Sequence, residues 1–148
     1  MKLKVAFDKR RFRQAVLNKM DRIDKAIISR LTYVGEQFVA TARLNGTYQD
    51  RTGNLRSSIG YLVLKRGKVV SISSFESSNN NSGAITGKKF ILELSEKFPA
   101  GYVLICAAGM EYAAAVESRG KDVITGSSGL AENKVKVALA NLLANLRG

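Results

Sequence analysis

Apolar residues in the first third of the chain recur every three or four positions, at Phe12, Val16, Met20, Ile23, Ile27, Leu31, Val34 and Phe38. That period aligns them on one face of an α-helix. Asp8 stands where an N-cap is needed, and Asn45-Gly46 is a stop signal. The spacing therefore predicts one long amphipathic helix from Asp8 to Leu44. Ahead of it, Lys2-Leu3-Lys4-Val5-Ala6-Phe7 alternates with period two, placing Leu3, Val5 and Phe7 on one side of a short extended segment. Unbroken, the helix would measure about 55 Å, whereas a compact domain of this size is about 40 Å across. It must overhang the domain or bend. Gly35 in its interior is the weakest point, about 1 kcal/mol worse than alanine. An overhang would leave the apolar stripe for a neighbouring subunit to cover.

After a loop from Thr47 to Asn54, Ser58 to Lys65, the turn Arg66-Gly67-Lys68 and Val69 to Phe75 read as a β-hairpin. Glu76 to Gly83 (ESSNNNSG) is polar and aperiodic, the pattern of a mobile loop. Ile85 to Phe98 predicts a short helix with Phe90, Ile91, Leu94 and Phe98 on one face, stopped by Pro99. Tyr102 to Ala108 (YVLICAA) has the length and composition of a buried strand. Glu111 to Glu117 fits either a further strand or a short turn. A last helix is expected from near Ser128 or Gly129, with Glu132 near its positive end, burying Val135, Ala138, Leu139, Leu142, Leu143 and Leu146. Helix, hairpin, helix, strand, helix is the order of an α+β fold: a long N-terminal helix packed on a small antiparallel or mixed sheet, with a C-terminal helix.

The 148 residues, 45% of them apolar, suffice for one domain over residues 1–148 with a core that needs neither disulfide nor metal. No apolar stretch approaches the roughly 20 residues that cross a bilayer, and MKLKVAFDKRR lacks a signal core, so a soluble, unsecreted protein is expected. Cys106 is the only cysteine and lies in the apolar stretch, as a small hydrophobe does in a reducing cytoplasm. Charge changes the picture more. The formal net charge is +12, and residues 1–51 hold 12 basic and 5 acidic side chains. Lys9, Arg10, Arg11 and Arg13, continued by Lys19, Arg22, Lys25 and Arg30, make the polar face of the first helix basic. Two readings compete: a contact for phosphate or for an acidic partner, or a solvated helix face partly offset by Asp21 and Asp24.

Candidate chemistry is sparse. There is no histidine, which removes the commonest general base and zinc ligand. Glu93 with Glu96, and Glu111 with Glu117, are the only carboxylate pairs worth weighing as acid and base, and the first pair falls on the polar side of a helix, where charges are solvated. Gly83-Ala84-Ile85-Thr86-Gly87-Lys88-Lys89 lacks the spacing and the Ser/Thr of a phosphate-binding loop, so Gly83 and Gly87 read as loop residues. No catalytic, cofactor-binding or metal-ligating residue is predicted.

Two polar clusters stand out. Arg51-Thr52-Gly53-Asn54-Leu55-Arg56-Ser57-Ser58-Ile59 lies between the long helix and the hairpin, where Gly53 permits a tight turn and Leu55 and Ile59 pin it to the core. Gly109-Met110-Glu111-Tyr112-Ala113-Ala114-Ala115-Val116-Glu117-Ser118-Arg119-Gly120 follows the apolar strand, and Glu117 is a candidate partner for Arg51 or Arg56. On physical grounds alone both are structural turns.

In pattern and order, the two clusters resemble the tail-completion, or head-tail joining, proteins of tailed bacteriophages, a gene-product-ten-like family of minor tail or minor capsid proteins. Thr52, Gly53, Leu55, Ser58 and Ile59 fill its Thr-Gly-x-Leu-x-x-Ser-Ile segment, and Tyr112, Ala113, Val116, Glu117 and Gly120 fill its Tyr-Ala-x-x-Val-Glu-x-x-Gly segment. Where many members carry a Pro-Phe pair before the last helix, this chain has Asp122-Val123-Ile124-Thr125-Gly126. The resemblance covers most of the chain. It implies a non-enzymatic virion subunit without cofactors, assembled in the bacterial host cytoplasm into a homo-oligomeric ring at the neck, six copies by analogy with tail symmetry. Its neighbours would be neck and tail proteins, with non-specific DNA contact and no membrane, and the ten motif residues would be interface or structural positions. A basic DNA-binding protein outside the virion is the alternative.

Overall fold

In the computed structural model, which describes residues 6–75 and 82–147, the Asp8 carboxylate accepts from the N–H groups of Arg10 and Arg11 and opens a single helix α1, Lys9–Asn45. There follow α2 (Asn54–Ser57), β1 (Ile59–Lys65), β2 (Lys68–Ile72), α3 (Ser82–Ser95), β3 (Tyr102–Ala108), α4 (Ala113–Ser118) and α5 (Thr125–Arg147). The strands form one antiparallel sheet in the order β2-β1-β3. Arg66 and Gly67, at φ of 50° and 76°, close the hairpin with the left-handed turn that suits strand twist. The fold is α+β, with the long helix on the sheet and a C-terminal helix, as the pattern predicts.

Strand β1 has no solvated face. Ile59, Tyr61 and Val63 point to the layer that holds α1, where Leu31, Val34, Phe38, Val39 and Ala42 meet them. Leu62 and Leu64 point the other way, to Ile91 of α3 and Ile105 and Ala107 of β3. Helix α5 runs antiparallel along α1: the Lys134 ammonium donates to the Gln37 side chain near one end, and Leu142 and Leu146 lie beside Lys19, Arg22 and Ile23 near the other.

Helix α1 is unbroken through Gly35. Gly35 is buried, and a Cβ built there would stand 2.4 Å from Cδ2 of Tyr61. The residue that is weakest for helix propensity is where the Tyr61 ring lies flush against the backbone. Length is resolved by overhang: every side chain from Lys9 to Met20 is exposed, including Phe12 at 59% and Met20 at 52%.

Several expectations need correction. Helix α3 begins at Ser82, so Gly83 and Gly87 are helical rather than loop residues. Their lack of a side chain serves packing, since a Cβ at Gly83 would stand 2.2 Å from the Asn54 carbonyl oxygen and one at Gly87 2.4 Å from that of Ser58. The helix also ends at Ser95, before Pro99, and leaves Phe90 and Phe98 about two-fifths exposed (39% and 40%). Glu111 to Glu117 contributes to a helix, α4, and not to a strand. Tyr102–Ala108 is a strand, but at the sheet edge, so only Ile105 and Ala107 are buried. Helix α5 starts at Thr125, three residues early, and Leu143 and Leu146 stay 56% and 40% exposed because the helix follows the α1 overhang beyond the sheet. The extended segment expected at the N-terminus and the loop expected from Glu76 lie, over residues 1–5 and 76–81, outside the described residues.

Gly35→Ala separates these effects. On an open helix face the substitution stabilises by about 1 kcal/mol; here the Tyr61 ring must move, and a net loss of about 1–3 kcal/mol is expected as a lower urea midpoint with an unchanged slope.

Candidate functional site

The first motif builds a junction. Gly53, at φ 74°, turns the chain into α2, and the Thr52 hydroxyl accepts from the Asn54 N–H at 3.4 Å. Leu55 and Ile59 are buried, and the Ser58 hydroxyl donates to the Leu55 carbonyl at 2.7 Å. The Ser58 carbonyl accepts from the Gly109 N–H at 3.2 Å, and a Cβ on Gly109 would stand 2.4 Å from the Gly87 Cα. Backbones of α2, α3 and the end of β3 thus touch at Ser58, Gly87 and Gly109, a closeness only glycine allows.

The second motif positions α5. Ala113 and Val116 pack on the α1 side of the core, and Gly120, at φ 76°, turns the chain after α4. The expected pairing of Glu117 with Arg51 or Arg56 is not what forms. Glu117 Oε1 accepts from the N–H groups of Val123, Ile124 and Thr125 at 3.3, 2.9 and 3.1 Å, and from the Thr125 hydroxyl at 2.9 Å. A helix N-terminus offers unpaired N–H groups and a positive dipole end, and these outcompete an exposed guanidinium for the carboxylate. Partial burial pushes the Glu117 pKa upward, but the bonds from Ile124, Thr125 and Val123 outweigh it and hold the group below its ordinary 4.5. Asp122 adds a bond from the Gly126 N–H at 3.1 Å, and Val123 is buried, so the segment 122–126 anchors and caps α5. The two motifs approach each other at their exposed ends. Partial burial and the Asp50 carboxylate push the Tyr112 phenol upward, opposed by the nearby Thr52 side chain.

Arg43 carries no sequence signal, being one of 12 basic residues in the first third. Its guanidinium donates to the carbonyls of Arg56, Ile59 and Ser74 at 3.2, 2.9 and 3.4 Å, tying α1 to α2, β1 and the segment after β2. Burial pushes its pKa below the ordinary value, opposed by Glu36 and then Tyr48.

Of the predicted basic contacts, Lys9, Arg10, Arg11 and Arg13 are all exposed on the overhang, with Lys19 and Arg22. Arg11 pairs with Asp8 at 3.6 Å and Lys25 with Asp21 at 2.8 Å. Asp24, expected to offset the helix face, is instead bound to Lys65 at the end of β1. The overhang is therefore more basic than its sequence reads.

Beneath α5 lies an apolar trough. Helix α5 packs on α1 rather than on the sheet, and between α5, α1 and the α1-facing side of β3 there is a cavity of about 710 Å³ lined by Ile27, Leu31, Leu104, Cys106, Val135 and Leu139 among others. Burial pushes the Cys106 thiol up to about 12, so it enters this lining as a hydrophobe. The exposed Glu132 and Lys136 side chains, 2.9 Å apart, border the opening. Glu93 is exposed and 3.9 Å from Lys89, and Glu96 is exposed beyond it. Among the described residues no three His, Cys, Asp or Glu side chains group as metal ligands, and no helix is long and apolar enough to cross a membrane. No protein-family model, curated protein or solved structure matches the chain.

Glu117→Gln keeps shape and loses charge. A loss of about 1 kcal/mol is expected at neutral pH. Because the folded pKa lies below the unfolded one, the native carboxylate's contribution is full above about pH 4.5 and fades as pH falls through the folded value. Chemical denaturation at pH 7 and at pH 3 should show the two proteins converging at the lower pH.

Proposed function

We propose that the chain is a non-enzymatic structural subunit of a tailed bacteriophage or prophage, a tail-completion or head-tail joining protein that assembles into a homo-oligomeric ring at the neck. One observation carries the assembly half of this reading. The α1 stripe that is buried from Leu31 to Ala42 continues without cover at Phe12, Val16 and Met20. Apolar surface left in water costs about 25 cal/mol per Å², and a contiguous patch of it marks an interaction site. Different surfaces of one chain that complement each other close into rings. The resemblance of the Thr52–Ile59 and Tyr112–Gly120 segments supplies the setting, with neck and tail proteins as neighbours in the virion.

Light scattering across concentration, at low and high salt and with short duplex DNA, tests the reading. A discrete oligomer independent of DNA is expected, and the double substitution Phe12→Asp with Met20→Asp should weaken it at least about tenfold, the worth of about 1.4 kcal/mol. A chain that stays monomeric under every condition would overturn it.

A second reading, DNA binding outside a virion, is favoured by the exposed Lys9, Arg10, Arg13, Lys19 and Arg22 on one helix. It predicts mass gained only with DNA and lost at high salt. Alanine at Arg10, Arg11 and Arg13 should then flatten the log-log salt dependence by about 0.9 per phosphate contact removed.

A further inference from the structure

Strand β3 is paired on one side only: its register with β1 runs from Tyr102 opposite Lys65 to Ala108 opposite Ile59, and among the described residues no strand lies on its other edge. Exposed edges are ordinarily protected by charges, proline or a bulge, because their free N–H and C=O groups recruit other strands. Tyr102–Ala108 (YVLICAA) carries no charge and no proline. Beside this edge lies the trough between β3 and α5, with Leu104 and Cys106 on its floor and Val135 and Leu139 on its wall. A strand added to β3 would point alternate side chains into it.

The sequence holds one segment with the required alternation, Met1 to Phe7, with Leu3, Val5 and Phe7 on one side; its residues 1–5 lie outside the described residues. Phe7 itself is 64% exposed. It cannot reach its own trough. Tyr102 pairs with Lys65, whose ammonium is bound to Asp24, so the near end of β3 is level with Asp24. Asp24 lies 16 residues along the helix from Asp8, or about 24 Å. Leu3, five residues before Asp8, extends at most about 18 Å from it, and Val5 and Phe7 less. The rest of β3 lies further off, since Ala108 is opposite Ile59, whose carbonyl binds Arg43.

We infer that residues Met1–Phe7 of a second copy add as a fourth strand to the free edge of β3, with Leu3, Val5 and Phe7 seated in the trough between β3 and α5. The overhang of α1 is then the arm that carries the strand to its neighbour. This rests on the ring reading for the identity of the neighbour and names the contact that would build the ring.

The test compares the full chain with the double variant Leu3→Asp and Val5→Asp, whose thermal melting at low concentration is expected to match that of the unaltered chain. Sedimentation gives mass, and amide hydrogen exchange reads Tyr102–Ala108. For the unaltered chain, association should slow exchange in this strand at least about tenfold as concentration rises, and the variant should show neither association nor slowing. If the variant associates like the parent, or association leaves exchange in Tyr102–Ala108 unchanged, the strand inference fails while ring assembly stands. If the unaltered chain remains monomeric at all concentrations, both fail.

Discussion

With Ile59, Tyr61 and Val63 turned to one helical layer and Leu62 and Leu64 to the other, β1 is a strand that water never reaches, and each remaining element is placed by how it covers that strand. A strand buried on both faces requires a helix on each side of a three-stranded sheet. Helix α1 approaches until the Tyr61 ring lies on Gly35, and the Tyr61 hydroxyl then donates to Glu36 at 2.7 Å. On the opposite side α3 is brought in by Gly83 and Gly87, backbone against backbone. Three glycines at helical positions thus set the thickness of the domain.

Local features were legible in the sequence. The start, end and stripe of α1 follow from Asp8, Asn45-Gly46 and a three-four period, all encoded within a turn or two of where they act. That α1 must overhang or bend followed from arithmetic on length; that it overhangs is seen only in the exposure of Lys9 to Met20. The hairpin was legible because Arg66-Gly67 can adopt the turn it needs. Features decided across the chain were not. Gly83 and Gly87 read as loop residues because glycine opposes helix locally, and only their contact with Asn54 and Ser58 makes them helical. YVLICAA has a strand's composition whether it sits centrally or at an edge, so the free edge of β3 could not be read. The onset of α5 was missed because Glu117, which caps it, lies eight residues before Thr125. Arg43 was missed because its three carbonyl partners come from three other parts of the chain.

The motif residues divide accordingly. Leu55, Ser58 and Ile59 are buried and Glu117 is committed to a helix end, so these positions act on the fold. Thr52, Tyr112 and Gly120 are the exposed members, and Thr52 and Tyr112 lie near each other on one surface. Besides Arg51, Arg56 and Arg119 within the motif segments, the overhang carries a separate basic group, where the loss of Asp24 to Lys65 leaves the field of Arg10, Arg13, Lys19 and Arg22 largely unopposed.

The bond between Asp24 and Lys65 sits where α1 leaves the support of the sheet, and it gives the molecule a mechanical character. Beyond it, α1 projects as a cantilever about 24 Å long, stiffened by the last turns of α5 and clamped inboard where Tyr61 bears on Gly35. A pivot of about 10° at that fulcrum would swing the tip through about 4 Å, close to the 4.7–4.9 Å spacing between neighbouring strands. Small changes in the tilt of one helix are thereby geared into displacements on the scale of a whole strand position.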